Sequence, residues 1–140
     1  MDWGTFPALP KAVITIAKTG KGAIPAGSVI PLETNKGVLG SGLSLSSGKV
    51  VIGDGIAHVL VSGVATGDYV SGFKRLQIRK NGVSIAEVFM TTADSSGYIT
   101  GAIPEMTVDV SKGDTLELYN QDSGTTFWSF GTYMTVIGFN

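Results

Sequence analysis

Short runs of alternating apolar and polar residues cover most of this chain, and the last third shows them most clearly. Between Thr107 and Asn120, Val108 and Val110 alternate with polar neighbours, Lys112-Gly113-Asp114 supplies a turn, and Leu116 and Leu118 alternate again. The pattern predicts an antiparallel hairpin with one buried face. A loop from Gln121 to Gly124 leads to the aromatic run Phe127-Trp128-Ser129-Phe130, and an apolar strand from Thr132 to Asn140 ends the sequence. Such a strand is expected in the middle of a sheet, because fraying would expose it. Its cover is either the rest of the chain or another copy.

The same reading extends upstream. Lys11 to Thr19 predicts a first strand, with Val13 and Ile14 among β-branched neighbours. Gly20 to Gly27 is turn-rich, and Ser28 to Asn35 predicts a short second strand that Pro31 confines to an edge. Gly37 to Gly48 reads as a long Gly/Ser-rich loop carrying a short strand around Leu43 to Ser46. Lys49 to Ile52 and Ile56 to Ala65 are strands around Gly53-Asp54-Gly55. The second is apolar on both sides, with Ala57, Val59 and Val61 on one and Ile56, Leu60 and Val64 on the other. A strand of that kind is normally sandwiched, which points to contact with a second subunit.

Phe73 to Lys80 and Val83 to Met90 are joined by Asn81-Gly82, a strong short-range hairpin signal. A plain two-residue turn would pair Ile78 with Ile85 but Leu76 with Glu87. A bulge, or burial of Ala86, Val88 and Met90 on the opposite face, would resolve that mismatch. Tyr98 to Pro104 is a further strand. No window carries a sustained helical period. Eight to ten short strands separated by turn signals make an all-β sandwich or barrel.

Residues 1–10 read as an extended arm, with Pro7 and Pro10 holding the backbone away from helix and Trp3, Phe6 and Leu9 as apolar handles. The domain proper is 11–140. At 140 residues it is large enough for a core without staples, and with no cysteine it has neither a disulfide framework nor a thiolate metal site. Net charge is -1 and dispersed, which excludes a nucleic-acid footprint. The arm lacks the basic start of a secretory signal, and no run reaches the roughly 18 apolar residues of a membrane span.

The scarcity of charge changes the picture more. Only 15% of residues are charged, against roughly 25% in an average soluble domain. A monomer of this mass exposes roughly 6,900 Å². Ten basic and eleven acidic side chains are few for that surface, and large exposed apolar patches mark interaction sites. An obligate oligomer is expected.

Laid in order, these features resemble the tumour necrosis factor-like superfamily, most of all its complement globular-head branch. The pieces are Val29-Ile-Pro-Leu-Glu-Thr-Asn35, Gly48-Lys-Val-Val-Ile52, the turn at Asp54-Gly55, the long strand from Ile56, and Leu76-Gln-Ile-Arg-Lys-Asn-Gly82 with its partner. A Val-x-Val-x-x-Gly-Asp-x-Leu-x-Leu pattern from Val108 to Leu118, the Phe127 to Phe130 run and the closing strand complete it. The resemblance spans residues 11–140. It implies a ten-stranded antiparallel jelly-roll sandwich assembled as a homotrimer, with Tyr98, Tyr119, Phe127, Phe130 and Tyr133 at the trimer interface and Val59 and Val61 in the core. A collagen-like stalk or membrane anchor, usual in the family, is not in this sequence. Stalkless forms with short arms resemble phage virion parts, such as head fibres, capsid decoration proteins or tail-tip modules. The implied partner is a larger viral particle protein held through Trp3, Phe6 and Leu9, and the implied location is the virion, or otherwise the cell exterior.

The candidate chemistry is sparse. His58, the only histidine, sits in an apolar strand and reads as a packed imidazole. No serine marks a nucleophile elbow, no carboxylate pair is favoured for glycoside hydrolysis, and no cofactor is implied. Asp54, Asp68, Asp94, Asp114 and Asp122 lack the spacing of a calcium loop and suit turns and caps. The expected activity is non-enzymatic. The alternative function is a receptor- or carbohydrate-binding head, for which Trp128 and Asp122, in and beside the 120–126 loop, are the candidate ligand residues.

Overall fold

The computed structural model describes residues 9–69, 74–92, 97–122 and 124–140. Fourteen strand segments and no helix occur among them. In chain order these are β1 (Ala12–Ala17), β2 (Gly22–Ile24), β3 (Ser28–Ile30), β4 (Thr34–Gly40) and β5 (Leu43–Ser46). Next come β6 (Lys49–Ile52), β7 (His58–Asp68), β8 (Arg75–Lys80), β9 (Val83–Phe89) and β10 (Thr91–Thr92). The last four are β11 (Tyr98–Asp109), β12 (Thr115–Asn120), β13 (Thr125–Phe127) and β14 (Tyr133–Phe139). Trp3, Phe6 and Asp94 lie outside the described residues.

Two antiparallel sheets face each other. Sheet A runs β10-β11-β7-β14-β1-β4, with β13 and β2 attached, and sheet B runs β5-β6-β12-β8-β9, with β3 attached. Five long strands in A and five in B make the ten-stranded sandwich, and β2, β3, β10 and β13 are short additions to it. The closing strand, β14, lies between β1 and β7 as its apolar pattern requires.

Strand alternation fills the core from both sides. Ile14, Ile16, Val59, Val61, Met134 and Val136 point inward from sheet A and meet Leu76, Ile78, Leu116 and Leu118 from sheet B. Gly63 of β7 lets the sheets approach closely, since a Cβ there would come within 2.6 Å of Leu118 Cδ2. All ten of those core side chains are at or near zero exposure. Each contributes about 1.5–3 kcal/mol of burial.

The 107–120 hairpin does not form. β11 pairs with β7 in sheet A, while β12 pairs with β3, β6 and β8 in sheet B. The turn at Ser111 to Asp114 therefore crosses between sheets, tied down by Gly113 N–H to Ile52 O (2.8 Å) and Val110 N–H to Ala57 O (3.0 Å). Alternation gave the same signal either way, because Val110 and Leu116 reach one core from opposite walls.

The Gly37 to Gly48 loop is also shorter than expected. Its first residues belong to β4, which pairs with β1 from Thr34↔Ala17 to Gly40↔Ala12 with a register shift between Thr15 and Ile16. Most of its side chains are exposed, so it carries no apolar period to read. Leu43 to Ser46 is β5, as expected. β3 stops at Ile30, and Pro31 follows it at a sheet edge.

The Asn81-Gly82 turn has positive φ at both residues, 51° and 78°, the geometry of a tight two-residue hairpin. A bulge between Ile78 and Arg79 settles the register: Ile78 pairs with Ala86 and Leu76 with Val88. Tyr98 to Pro104 joins the next segment to make β11, which changes register between Ile103 and Met106 around Pro104.

Candidate functional site

β7 is buried on its core side at Val59, Val61 and Ala65, while His58, Leu60, Ser62 and Val64 face outward, half-buried by their neighbours in the sheet. Register then aligns outward residues from strand to strand. Leu39, Val13, Ile137, Leu60 and Thr107 form one row across β4, β1, β14, β7 and β11. Gly37, Thr15, Thr135 and Ser62 form the next, with the two threonine hydroxyls 2.9 Å apart. Tyr133, Val64 and Ala102 form a third. No charged side chain occurs in these rows. Leu39 is 73% exposed, and it lines an open apolar groove of about 430 Å³ with Leu9, Pro10 and Val13.

The two ends of this face differ. At the end where β1 begins, His58 stacks flat on Phe139, with centroids 5.4 Å apart and planes at 6°. His58 is therefore half-buried on the outside of sheet A, not enclosed in the core as its apolar neighbours suggested. Lys11 N–H donates to Gly138 O there, so β1 begins beside the end of β14.

At the opposite end, β13 carries the chain past β7, and Trp128 follows with its backbone N–H on Thr66 O (2.9 Å). Its indole N–H donates to Asp68 Oδ1 at 2.7 Å, and Lys21 Nζ sits 3.3 Å from Asp68 Oδ2 and 5.3 Å from the Trp128 ring. Tyr98, the cross-strand partner of Asp68, lies 5.5 Å from Trp128, and Phe130 lies 5.0 Å from it on another side.

The five residues expected at a trimer interface do not form one patch. Phe127 is fully buried within the chain, so it has no surface to offer a neighbour. β13 turns Thr125 and Phe127 inward and Thr126 outward, a three-residue alternation too short to read in the sequence. Tyr119 is on sheet B, with the Arg79 guanidinium 3.4 Å above its ring. Tyr98, Phe130 and Tyr133 remain on the outside of sheet A at the aromatic end. Leu9 is 87% exposed.

The outside of sheet B has the opposite character. Arg75 grips Asp122 through Nε and Nη2, both at 3.0 Å, and its backbone N–H adds 2.9 Å. These bonds hold the Asp122 carboxyl below the usual carboxylate range and raise Arg75. Asp122 thus anchors its loop to β8, and among the described residues it makes no bond to Trp128. Gln77 donates to Glu87 (2.7 Å), and Arg79 donates to Gln77 (2.9 Å) and Gln121 (3.0 Å). Gln77 and Glu117 are themselves buried, and Lys49 Nζ lies 3.6 Å from Glu117 Oε2, which has no hydrogen-bond partner among the described residues.

Other acidic residues serve turns and ion pairs. Asp114 accepts from Asn81 Nδ2 (2.9 Å) and Ser111 N–H (2.8 Å), bonds that lower its pKa, and Asp54 pairs with Lys112 at 3.0 Å. Among the described residues no cluster of three metal-ligating side chains occurs, and no helix is long and apolar enough to cross a membrane. The sequence missed Asp68 and Lys21 as companions of Trp128. The available signal was Asp68 alone, a charged residue at the end of the largely apolar β7.

Neither a protein-family model nor a curated protein matches the sequence. Solved structures do. Murine APRIL superposes with a TM-score of 0.65 at 12% identity, covering 91% of this chain and 98% of that one. The PRD1 vertex protein P5 gives 0.63 at 12%, covering 94% and 99%. The globular domain of a zebrafish complement 1qA protein gives 0.60 at 10%, covering 94% and 96%. With the strand order above, these likenesses identify the architecture: the chain has the tumour necrosis factor-like jelly-roll fold.

Proposed function

We propose that this chain is a non-enzymatic homotrimeric module of a phage virion, a head fibre, capsid decoration or tail-tip protein, held to the particle by its arm, residues 1–10. The observation that carries the reading is the outside of sheet A. Its three central rows hold apolar, aromatic and hydroxyl side chains and no charge, whereas the outside of sheet B is bonded into a charged network. A face of that kind is stable when another copy covers it. Tyr133, Leu60, Ile137 and Val13 are the contacts we assign to it.

The PRD1 likeness supports the setting, since that protein is a phage vertex protein of the same fold. Neighbours of the tumour necrosis factor and complement type support the threefold assembly. A shared fold leaves function to the sites it carries, so attachment is the part to test. Deleting residues 1–10 is expected to leave the assembled mass unchanged and to abolish incorporation into particles. A deletion that dissolves the trimer would refute this division of labour between arm and body.

A further inference from the structure

We propose that the end of sheet A opposite the arm is a binding site for a hexopyranose of a cell-surface polysaccharide, formed by Phe130, Trp128, Tyr98, Asp68 and Lys21. β14 separates the two ends: Tyr133 opens it near the aromatic cluster, and Gly138 closes it against Lys11. Seven residues of strand put about 20 Å between them. If residues 1–10 hold the body, as proposed above, this end lies at the far end of β14 from Lys11, where they join it.

Three properties of the cluster fit a sugar ring. First, the aromatic surface is available and oriented. Phe130 is 68% exposed, and its ring leans on Trp128, whose indole is fixed in turn by the 2.7 Å bond to Asp68. A ring held this way loses little freedom when the C–H face of a pyranose packs on it. Second, polar groups converge beside the rings. Asp68 keeps 41% of its side chain exposed and Lys21 56%. Among the described residues each carboxylate oxygen has one protein partner, Trp128 or Lys21, which leaves a further lone pair on each and donors on the ammonium. Adjacent sugar hydroxyls can donate to the carboxylate and accept from the ammonium. Third, an apolar partner would leave the Asp68–Lys21 pair desolvated at its rim, which costs free energy unless hydrogen bonds replace water. A polyhydroxylated ring supplies both an apolar face and those hydrogen bonds.

This function goes beyond assembly, and it relocates the ligand residues. Trp128 remains in the expected set, while Asp122, committed to Arg75, is replaced by Asp68. The test applies the labelled full-length protein to an array of immobilised neutral and amino-hexose oligosaccharides, and measures its mass in solution alongside. Wild type is expected to bind a subset of these sugars. Phe130→Ala and Asp68→Asn should each weaken binding at least tenfold with the assembled mass unchanged; the second keeps an acceptor for the Trp128 indole. Absence of wild-type binding to every oligosaccharide overturns the proposal, as does unaltered binding by both variants. Loss of assembled mass in Phe130→Ala also overturns it, by making the cluster a contact between copies. Sugar binding by a protein that proves to be a single chain would leave the site standing and remove the trimer.

Discussion

On the outside of sheet B, Arg75, Gln77, Arg79, Glu87 and Asp122 bond to one another, and Tyr119 lies under a guanidinium. On the outside of sheet A, Val13, Leu60, Val64, Tyr133 and Ile137 stand in register with threonines and a serine between them. Both faces come from strands of the same alternation, and both back onto one core. The difference is in what the outward positions need. Those of sheet B join Arg75, Gln77, Arg79, Glu87 and Asp122 in the plane of the sheet, with buried Glu117 left one carboxylate oxygen short of a hydrogen bond among the described residues. Those of sheet A gain from being covered, and two of their hydroxyls, on Thr15 and Thr135, bond to each other.

The most damaging way to break this contrast is to place a charge on the apolar face. Leu60→Asp should reduce the assembly to single chains, because an unpaired buried carboxylate costs several kcal/mol. Arg79→Ala on sheet B should leave the assembly whole. Equal dissociation by both variants, read by light scattering, would erase the distinction between the faces.

Phe127→Ala separates the core from the face. Its ring is fully buried inside one chain, so the variant should lose about 3–5 kcal/mol in denaturant unfolding while its folded fraction keeps the wild-type mass. Gly82→Ala should cost less, about 1–2 kcal/mol for a left-handed non-glycine residue, because its φ is 78° and nothing crowds the position. A melting temperature equal to wild type would place that turn's register under other control, the bulge at Ile78 included.

The smallest effect concerns acid. Asp122 and Asp114 are held below the ordinary carboxylate range, Asp122 chiefly by Arg75 and Asp114 chiefly by Asn81. Their stabilisation is fully present above about pH 4, the unfolded value, and is lost as pH falls through their lowered folded values. Asp122→Asn should melt below wild type at pH 7, and the gap should narrow as pH falls toward 3. A gap that widens with acid would contradict the assignment.

Much of the sandwich was legible because alternation reports burial directly. β1, β5, β6, the β8–β9 hairpin and β14 all follow from apolar spacing and from Asn81-Gly82. Pairing was less legible, since Val110 and Leu116 give one signal whether their strands are neighbours or opposite walls. β4 was missed because an edge strand held by backbone bonds needs no apolar side chains. The surfaces were legible in kind and not in membership. The two-sided character of β7 pointed to a covered face, but aromatic identity could not separate Phe127, turned inward, from Phe130, turned outward three residues later. The Asp68–Trp128 bond joins positions sixty residues apart, a distance no local pattern spans.

The mass of the full-length protein in dilute solution tests the central claim most directly. With the outside of sheet A buried between copies, light scattering or sedimentation equilibrium at low micromolar concentration should return three times the 14.5 kDa of the chain. A stable, non-aggregating species of 14.5 kDa would show that this face is content in water.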